Sequence, residues 1–539
     1  MKLEGKLELT WVGKNEEIKL EPRILVEDKS KSYGDPNSQN MLIHGDNLLA
    51  LKALEKDFAG KIKCIYIDPP FNTGKAFEYY DDGVEHSIWL ELMSKRFKIL
   101  RSLLTDDGCI FVNLDDSESA YCKILMDEIF GRHNYLNEII VSTNKSFGFK
   151  STSDSIFKQA NHLLFYSKNK EKFNINEQML YIEKQYDPAY NFIFENINKP
   201  ENEWTWKNIR EYYAEQLGYS STKEALKVLG KEFDIKVGQF AIENANRVFQ
   251  LASVTGGALQ KRRNTIEFSK LNKGIIVRHP NDDMDYKFIG GRRVIPYLDR
   301  LRNINGVMVP GELLTDIWDD ISIEGLAKEG SVDFPKGKKP EKLIKRCIEL
   351  TTHEGDYVLD SFAGSGTTAA VAHKMHRNWV VIELGNQAYT HCKVRMDKVV
   401  DGEQSGISKL VNWQGGGGYK FYELAESLLV KNEKLPIYQI NPNYTFEMMC
   451  EAICKIEGFD YKTEGSFHGK SSENRFIHIT TEYVNAEYIK NLSKELSEKQ
   501  SLLIYSTKFA TDLRLPDNIV VKKIPKDLLK KCKFESEVR

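Results

Sequence analysis

The sequence is short of several features that would place it quickly. No run approaches the ~18 uninterrupted apolar residues of a membrane span. The opening, Met1-Lys2-Leu3-Glu4-Gly5-Lys6, has no apolar core like that of a secretory signal. Together these predict a cytoplasmic chain with no membrane partner. Eight cysteines are scattered through the chain without metal-ligand spacing. The closest pair, Cys450 and Cys454, sits at helical spacing with no second pair to complete a zinc site. No metal is expected, and free thiols fit a reduced cytoplasmic compartment. Internal repeats and low-complexity tracts are lacking. The net charge of −2 removes the global signature of a nucleic-acid binder.

At 539 residues the chain is too long for one ordinary domain and predicts two to four. Apolar content of 41% and charged content of 29% fit a globular protein with ample core. Charge is uneven along it. Between Gly257 and Arg302 eleven Lys and Arg face five Asp and Glu, a surplus of six positive charges. Lys261, Arg262, Arg263, Arg292 and Arg293 are its densest part. Such a stretch is a solvated face as readily as a phosphate-facing surface, and the flanking motifs favour the second reading.

Residues 41 to 142 alternate between strand-like and helix-like runs. Asp46-Asn47 opens a helical pattern with Leu48, Leu51, Leu54 and Phe58 on one side. Ile62 to Ile67 reads as a buried strand. Trp89 to Leu103 recurs at helical spacing, Asp107-Gly108 is a turn, and Cys109 to Leu114 is another strand. Ser117 starts a further helix, and Asn137 to Ser142 and His162 to Ser167 are strands. This rhythm predicts an α/β layer with a parallel sheet. It breaks over residues 170 to 325, where Trp204, Trp206, Tyr212 and Tyr213 cluster and Gly256-Gly257 and Gly290-Gly291 interrupt short runs. The rhythm returns with helices at Lys342 to Leu350, Thr367 to Met375 and Gln387 to Val399, and strands at Tyr357 to Leu359 and Trp379 to Ile382. One sheet built from two distant pieces of chain is the expectation. Gly415 to Gly418 marks a hinge or a close backbone approach, and a small α/β unit follows.

The expected segments are therefore an N-terminal stretch (1–39), a first half of the α/β domain (40–169), an α+β insertion (170–325), a second half (326–424) and an α/β appendage (425–539).

Two turns carry chemistry. Asp68-Pro69-Pro70-Phe71 follows the first buried strand. The Asp68 carboxylate and the Pro69 carbonyl are two acceptors suited to the two hydrogens of an exocyclic amine. The prolines stiffen the turn, since each fixes φ and neither donates an N–H, and Phe71 offers a flat face. Alone, these residues also make an ordinary rigid exit from a strand. The second turn is Asp360-Ser361-Phe362-Ala363-Gly364-Ser365-Gly366-Thr367-Thr368, between a strand and a helix. It is neither a nucleoside-triphosphate loop nor a full dinucleotide fingerprint. Its glycines expose backbone N–H groups to a ligand. Glu383 ends the next strand, about twenty residues on, where a carboxylate accepts from two ribose hydroxyls.

The pair of turns in this order, with an insertion between them, resembles the beta group of DNA amino-methyltransferases, adenine-N6 and cytosine-N4. Thr315 to Trp318, Asp333-Phe334-Pro335, Lys339-Pro340 and Gly415 to Leu424 narrow the likeness to modification (Mod) subunits of type III restriction-modification systems. It covers roughly residues 40 to 424. The resemblance implies a circularly permuted, Rossmann-like methyltransferase sheet with helices on both faces and a target-recognition insertion. It implies S-adenosyl-L-methionine as cofactor, with Asp360, Phe362, Gly364, Gly366, Thr367 and Thr368 lining its pocket. Lys339 and Pro340 would lie over the methionine end, and Asp46 would contact the cofactor adenine while also capping its helix. Asp68 rather than Ser favours adenine over cytosine, and Phe71 stands where many relatives have Tyr. Double-stranded DNA, a helicase-nuclease restriction subunit and a second copy of the chain are the implied partners. A DNA-recognition subunit with lost or partner-dependent methylation, a cytosine-N4 methyltransferase, and methyl transfer to RNA or protein remain the competing readings.

Overall fold

The computed structural model describes residues 8–11, 13–15, 19–72, 85–142, 158–280, 285–304, 306–321, 325–334, 337–472 and 474–534. Pro335, Asp282, Asp283 and parts of the N-terminal segment lie outside them. The chain divides into two compact units, residues 1–175 with 316–539, and residues 176–315.

The first unit is built on an eleven-stranded sheet. Its labelled elements in chain order are β1 (Leu25–Glu27), β2 (Met41–His44), α1 (Asn47–Phe58), β3 (Ile62–Ile67), α2 (His86–Leu103), β4 (Leu104–Leu114), α3 (Ser119–Met126), β5 (Tyr135–Ser142) and β6 (Ala160–Ser167). After the second unit come β7 (Ile317–Trp318), α4 (Glu341–Thr351), β8 (Tyr357–Asp360), α5 (Thr367–Lys374), β9 (Asn378–Glu383), α6 (Val394–Val400) and β10 (Gly418–Leu424). The strand order is β1-β10-β2-β9-β8-β3-β4-β6-β5-β7. The six strands from β10 to β4 are parallel. The expectation of a parallel sheet holds for these and fails at the margins: β6 runs antiparallel to β4 and β5, and β1 antiparallel to β10. A strand buried on both faces reads as a continuous apolar run whichever way it points, so direction is not written in the pattern.

Helices cover both faces. On one, α1, α2 and α3 pack with Ile43, Ile65, Ile67, Ile110, Val112, Val380 and Ile382 in one core. The alternate residues Cys64, Tyr66, Phe111, Val358, Trp379 and Val381 point the other way and are also buried; α4 and α5 lie on that side. Asp46 caps α1 by accepting from Leu49 N at 3.0 Å. The expected turn at Asp107-Gly108 lies within β4, where the ladder to β3 shifts register between Leu104 and Cys109. The run from Gln387 opens with a wide π-helical turn, Ala388–Lys393, before α6. That turn sets Cys392 against Gly366, which has φ +75° and whose added Cβ would lie 3.2 Å from Cys392 Cα. The Gly415 to Gly418 run is a close backbone approach. A Cβ on Gly418 would lie 2.2 Å from Asp35 N, because the Tyr33–Gly34 segment pairs with β10 there.

A five-stranded sheet closes the chain, with residues 460–464, 467–472, 475–484, 501–509 and 519–523 side by side in that order. Helices Phe446–Glu457 and Ala486–Ser493 pack on it. Among its described residues the second unit has a six-stranded and a three-stranded sheet with four α-helices, Ile209–Gln216, Thr222–Leu229, Lys231–Glu243 and Gly256–Leu271.

A buried ionic cluster ties α4, α5 and α6 together. Glu341, Lys374 and Arg395 are fully buried. Glu341 accepts from Lys374 Nζ at 2.9 Å, Arg395 Nη2 at 2.7 Å and Ile407 N at 2.9 Å. Burial alone would raise the Glu341 carboxyl, but Arg395 and Lys374 hold it below its ordinary range. Neutralising the acid takes from Arg395 its carboxylate partner and leaves Lys374 to Glu403 in a dry interior. Glu341→Gln is expected to cost about 3–5 kcal/mol, read from denaturant unfolding; a loss under about 1 kcal/mol would show that the cluster is not what holds these helices.

Candidate active site

Four acidic side chains lie at the carboxyl ends of four adjacent parallel strands. Asp46 follows β2, Glu383 ends β9, Asp360 ends β8 and Asp68 follows β3, in the spatial order β2-β9-β8-β3. Glu383 pairs with His44, Asp360 with Val381 and Leu359 with Ile65, so the ends are nearly level. The order of strand addition reverses between β8 and β3. From β8 the next strand, β9, is added on one side; from β3 the next, β4, is added on the other. Such a switch point leaves a crevice beyond the strand ends, where open α/β sheets bind ligands.

On the β8 side the turn is held from every direction. Asp360 accepts from Phe362 N at 2.9 Å and Thr368 Oγ1 at 2.6 Å. Glu383 accepts from Gly364 N at 2.7 Å and Gly385 N at 3.1 Å. Thr367 Oγ1 accepts from Arg395 Nη1 at 2.8 Å and so faces the ionic cluster. Phe362 is 8% exposed. Gly364 has φ +54°, and an added Cβ would meet nothing nearer than Phe362 O at 3.9 Å, which leaves open space over the turn. Burial pushes the Asp360 carboxyl up to about 7, against its two hydrogen bonds, and the nearby charges of Asp68 and Glu383 add to the rise. The parallel ladder that sets Leu359 opposite Ile65 brings both turns to the same end of neighbouring strands.

On the β3 side the Asp68 carboxylate is held at both oxygens. Asn113 Nδ2, from β4, donates to Oδ1 at 2.8 Å. Lys339 Nζ lies 2.6 Å from Oδ2 and 4.8 Å from the Phe71 ring centroid. Trp89 Nε1 donates to the Pro70 carbonyl at 2.9 Å, locking the prolyl turn to α2. Asn72, next in the chain, has φ +59° and donates to the buried Glu118 at 2.5 Å. Burial raises the Glu118 carboxyl, which also meets His86 at 2.7 Å.

Asp46 belongs to a bridge between the halves. Its Oδ2 is 3.5 Å from Arg96 Nη2, Arg96 Nε donates to Asn47 Oδ1 at 2.6 Å, and Asn47 Nδ2 donates to the Ser361 carbonyl at 2.7 Å. Pro340 sits at the start of α4, its carbonyl accepting from Leu343 N at 3.1 Å.

Several residues of the cleft carry no sequence signal. Gln387 is 1% exposed, and both ends of its amide lack a hydrogen-bond partner among the described residues, as does the buried Ser361 Oγ. Asn113, Asn47 and Glu118 are ordinary residues of strand or helix until the fold turns them inward. Lys339 differs from its expectation in a specific way: its ammonium is on the Asp68 turn.

The basic stretch lies in the second unit. Lys261, Arg263 and Arg292 are exposed there. Arg262 is 6% exposed and stacks 3.6 Å from the Tyr286 ring centroid, with Arg293 at 4.0 Å from the same ring. Arg262 therefore packs instead of facing solvent, a correction to its expected place on a phosphate-binding surface.

Residues 62–393 match the DNA methylase family. Among curated relatives, the chain is 36% identical over 433 residues to the probable type III restriction-modification enzyme HindVI Mod subunit of Haemophilus influenzae, covering 74% of this chain and 55% of that one. It is 29% identical over 437 residues to the type III restriction-modification enzyme EcoPI Mod subunit of Escherichia phage P1, covering 68% and 60%. It is 26% identical over 354 residues to the type II methyltransferase M.EcaI of Enterobacter cloacae, covering 64% and 66%. The chain thus spans little more than half the length of the two Mod subunits. The family match runs from the strand before Asp68 to the turn that braces Gly366, and so takes in both chemical turns and the sheet that joins them: the chain belongs to the DNA methylase family.

Proposed function

We propose that this protein transfers a methyl group from S-adenosyl-L-methionine to N6 of a flipped adenine in duplex DNA, as the modification component of a restriction-modification system. The observation that carries the reading is the convergence of the Asp68 and Asp360–Thr368 turns at the ends of the neighbouring strands β3 and β8.

The pocket over the glycine turn fits the cofactor. Open space over Gly364, the unpartnered Ser361 Oγ and Gln387 amide, and the dry Asp360 carboxyl offer donors, acceptors and negative charge to a ligand with hydroxyls and an ammonium group. Asp360, Glu383, Asp46 and the backbone of Phe362 to Gly366 would hold it, while Thr367 and Thr368 brace the turn. When bound, the cofactor supplies an electrophilic methyl group on a sulfonium. Adenine N6 is a weak nucleophile because its lone pair is delocalised into the ring. Asp68 Oδ2 and the Pro69 carbonyl accept the two N6 hydrogens and favour a tetrahedral nitrogen. Phe71 stacks on the everted ring. Held this way, N6 would face that methyl group, and the proton N6 sheds on transfer would pass through the Asp68 carboxylate to water. The work of the protein is positioning and preorganised electrostatics.

The unit 176–315 would read the target. Exposed Lys261, Arg263 and Arg292 suit phosphates, which position the protein without specifying sequence. The names of the relatives support a restriction partner, and a helicase-nuclease subunit and a second copy of the chain complete the proposal. Among the described residues no helix is long and apolar enough to cross a membrane.

Incubation with genomic DNA and labelled S-adenosylmethionine, followed by sequencing of modified bases, tests the reading and would give base, atom and site. Asp68→Ala is expected to lower kcat by about 10²-fold or more with cofactor affinity intact; equal methylation by the variant would remove Asp68 from the mechanism. Asp360 gives a pH signature. Its carboxyl ionises near 7 in the free protein, and a bound cation favours the ionised form. Cofactor affinity should therefore rise with pH up to about 7 and then level off, with proton release on binding below that point. Calorimetry checks this, and Asp360→Asn should flatten the profile. Without cofactor the sign for stability is opposite. The folded state keeps the proton longer than the unfolded one, so this group costs stability as pH rises from about 3.8 to about 7. Replacing Arg263 and Arg292 by Ala should each flatten the salt dependence of DNA binding by about 0.9 in log–log slope, whereas Arg262→Ala should lower the melting temperature of the protein instead.

A further inference from the structure

Lys339 stands where the methyl-transfer reading needs the target base to be. A base held for transfer uses the Asp68 carboxylate as acceptor and the Phe71 ring as platform. The Lys339 ammonium is 2.6 Å from Asp68 Oδ2 and 4.8 Å from the Phe71 centroid, so it engages both. The other carboxylate oxygen is already taken by Asn113. The lysine and aspartate side chains are 13% and 18% exposed, which shields the pair from water.

The segment that delivers the lysine is itself fixed. Lys338 turns the opposite way and donates to the carbonyls of Val332 at 2.9 Å and Ala327 at 3.3 Å. Pro340 begins α4, whose Glu341 is locked in the buried ionic cluster. Between two anchored neighbours, only the flexible four-carbon stem of Lys339 is left to move. A charge-assisted bond from an ammonium is stronger than one from a neutral aromatic amine, so the two compete for Asp68. As an ammonium, Lys339 has no lone pair and cannot take the methyl group itself.

We propose that Lys339 is a stand-in for the target amine, occupying the base site in the DNA-free protein, keeping the Asp68 turn ordered, and yielding its place when the base arrives. The inference rests on the methyl-transfer reading and deepens it, because it makes Lys339 a positioning residue of the base site and not of the cofactor pocket.

The test uses the full chain, wild type and Lys339→Met, a substitution of similar length without charge. Binding of 2′-deoxyadenosine is followed by saturation-transfer NMR, and binding of S-adenosylhomocysteine by calorimetry. Lys339→Met is expected to bind the nucleoside at least about fivefold more tightly, since a part-buried ion pair competes at least as well as an exposed one, with S-adenosylhomocysteine affinity unchanged within twofold. Lys339→Arg, which keeps the charge, should bind the nucleoside no better than wild type. The proposal is overturned if Lys339→Met gains nothing for the nucleoside, or if it loses S-adenosylhomocysteine binding, which would assign the lysine to the cofactor. Failure of the wild-type protein to bind S-adenosylhomocysteine would refute the methyltransferase reading itself, and the nucleoside comparison made without it would still decide the role of Lys339.

Discussion

Val358 lies opposite Cys64 and Leu359 opposite Ile65, and this short parallel ladder joins two pieces of chain that the whole second unit separates. The site depends on it. If β8 were added anywhere else in the sheet, the glycine turn and the prolyl turn would open onto different crevices. The ladder is reinforced above the strand ends by the bridge from Ser361 through Asn47 to Arg96, and behind the turn by Arg395 on Thr367. These contacts are long-range in sequence and made by polar groups out of water, where an unsatisfied partner is costly.

The electrostatics of the cleft follow from the same geometry. Parallel strands end together, so the acidic residues that follow them crowd one edge. Asp360 is buried and its carboxyl is raised by burial and by its neighbours, while Asp68 is neutralised locally by Lys339. An edge built this way is strained toward positive charge. It is poised for a cationic ligand on one side and for a hydrogen-bond donor on the other, which matches the proposed division of labour between cofactor and base.

Much of this was legible in advance. The strand runs Ile62 to Ile67 and Trp379 to Ile382, the helix opened by Asp46 and the turn glycines all stood out, because local pattern and backbone demands are written in adjacent residues. Gly366 is an example: its positive φ and the nearness of Cys392 disfavour a side chain there. Other features were not legible. The reversal of β6 leaves no mark in a run of residues buried on both faces. Arg262 stands in a basic stretch like its neighbours, yet it packs on Tyr286. Gln387, Asn113 and Glu118 have nothing in their neighbourhoods to distinguish them.

By itself the order of residues determined which turns could carry chemistry, that they follow buried strands, and that a distant pairing is required, since each of these is a matter of residue type and short-range spacing. Only the tertiary structure decided which polar groups meet across the cleft: that Lys339 reaches Asp68, that Thr367 turns to Arg395, and that Gln387 points inward without a partner among the described residues. The reason is physical. Side-chain partners in a dry interior are set by the register and packing of strands far apart in the chain, and a one-dimensional pattern records neither.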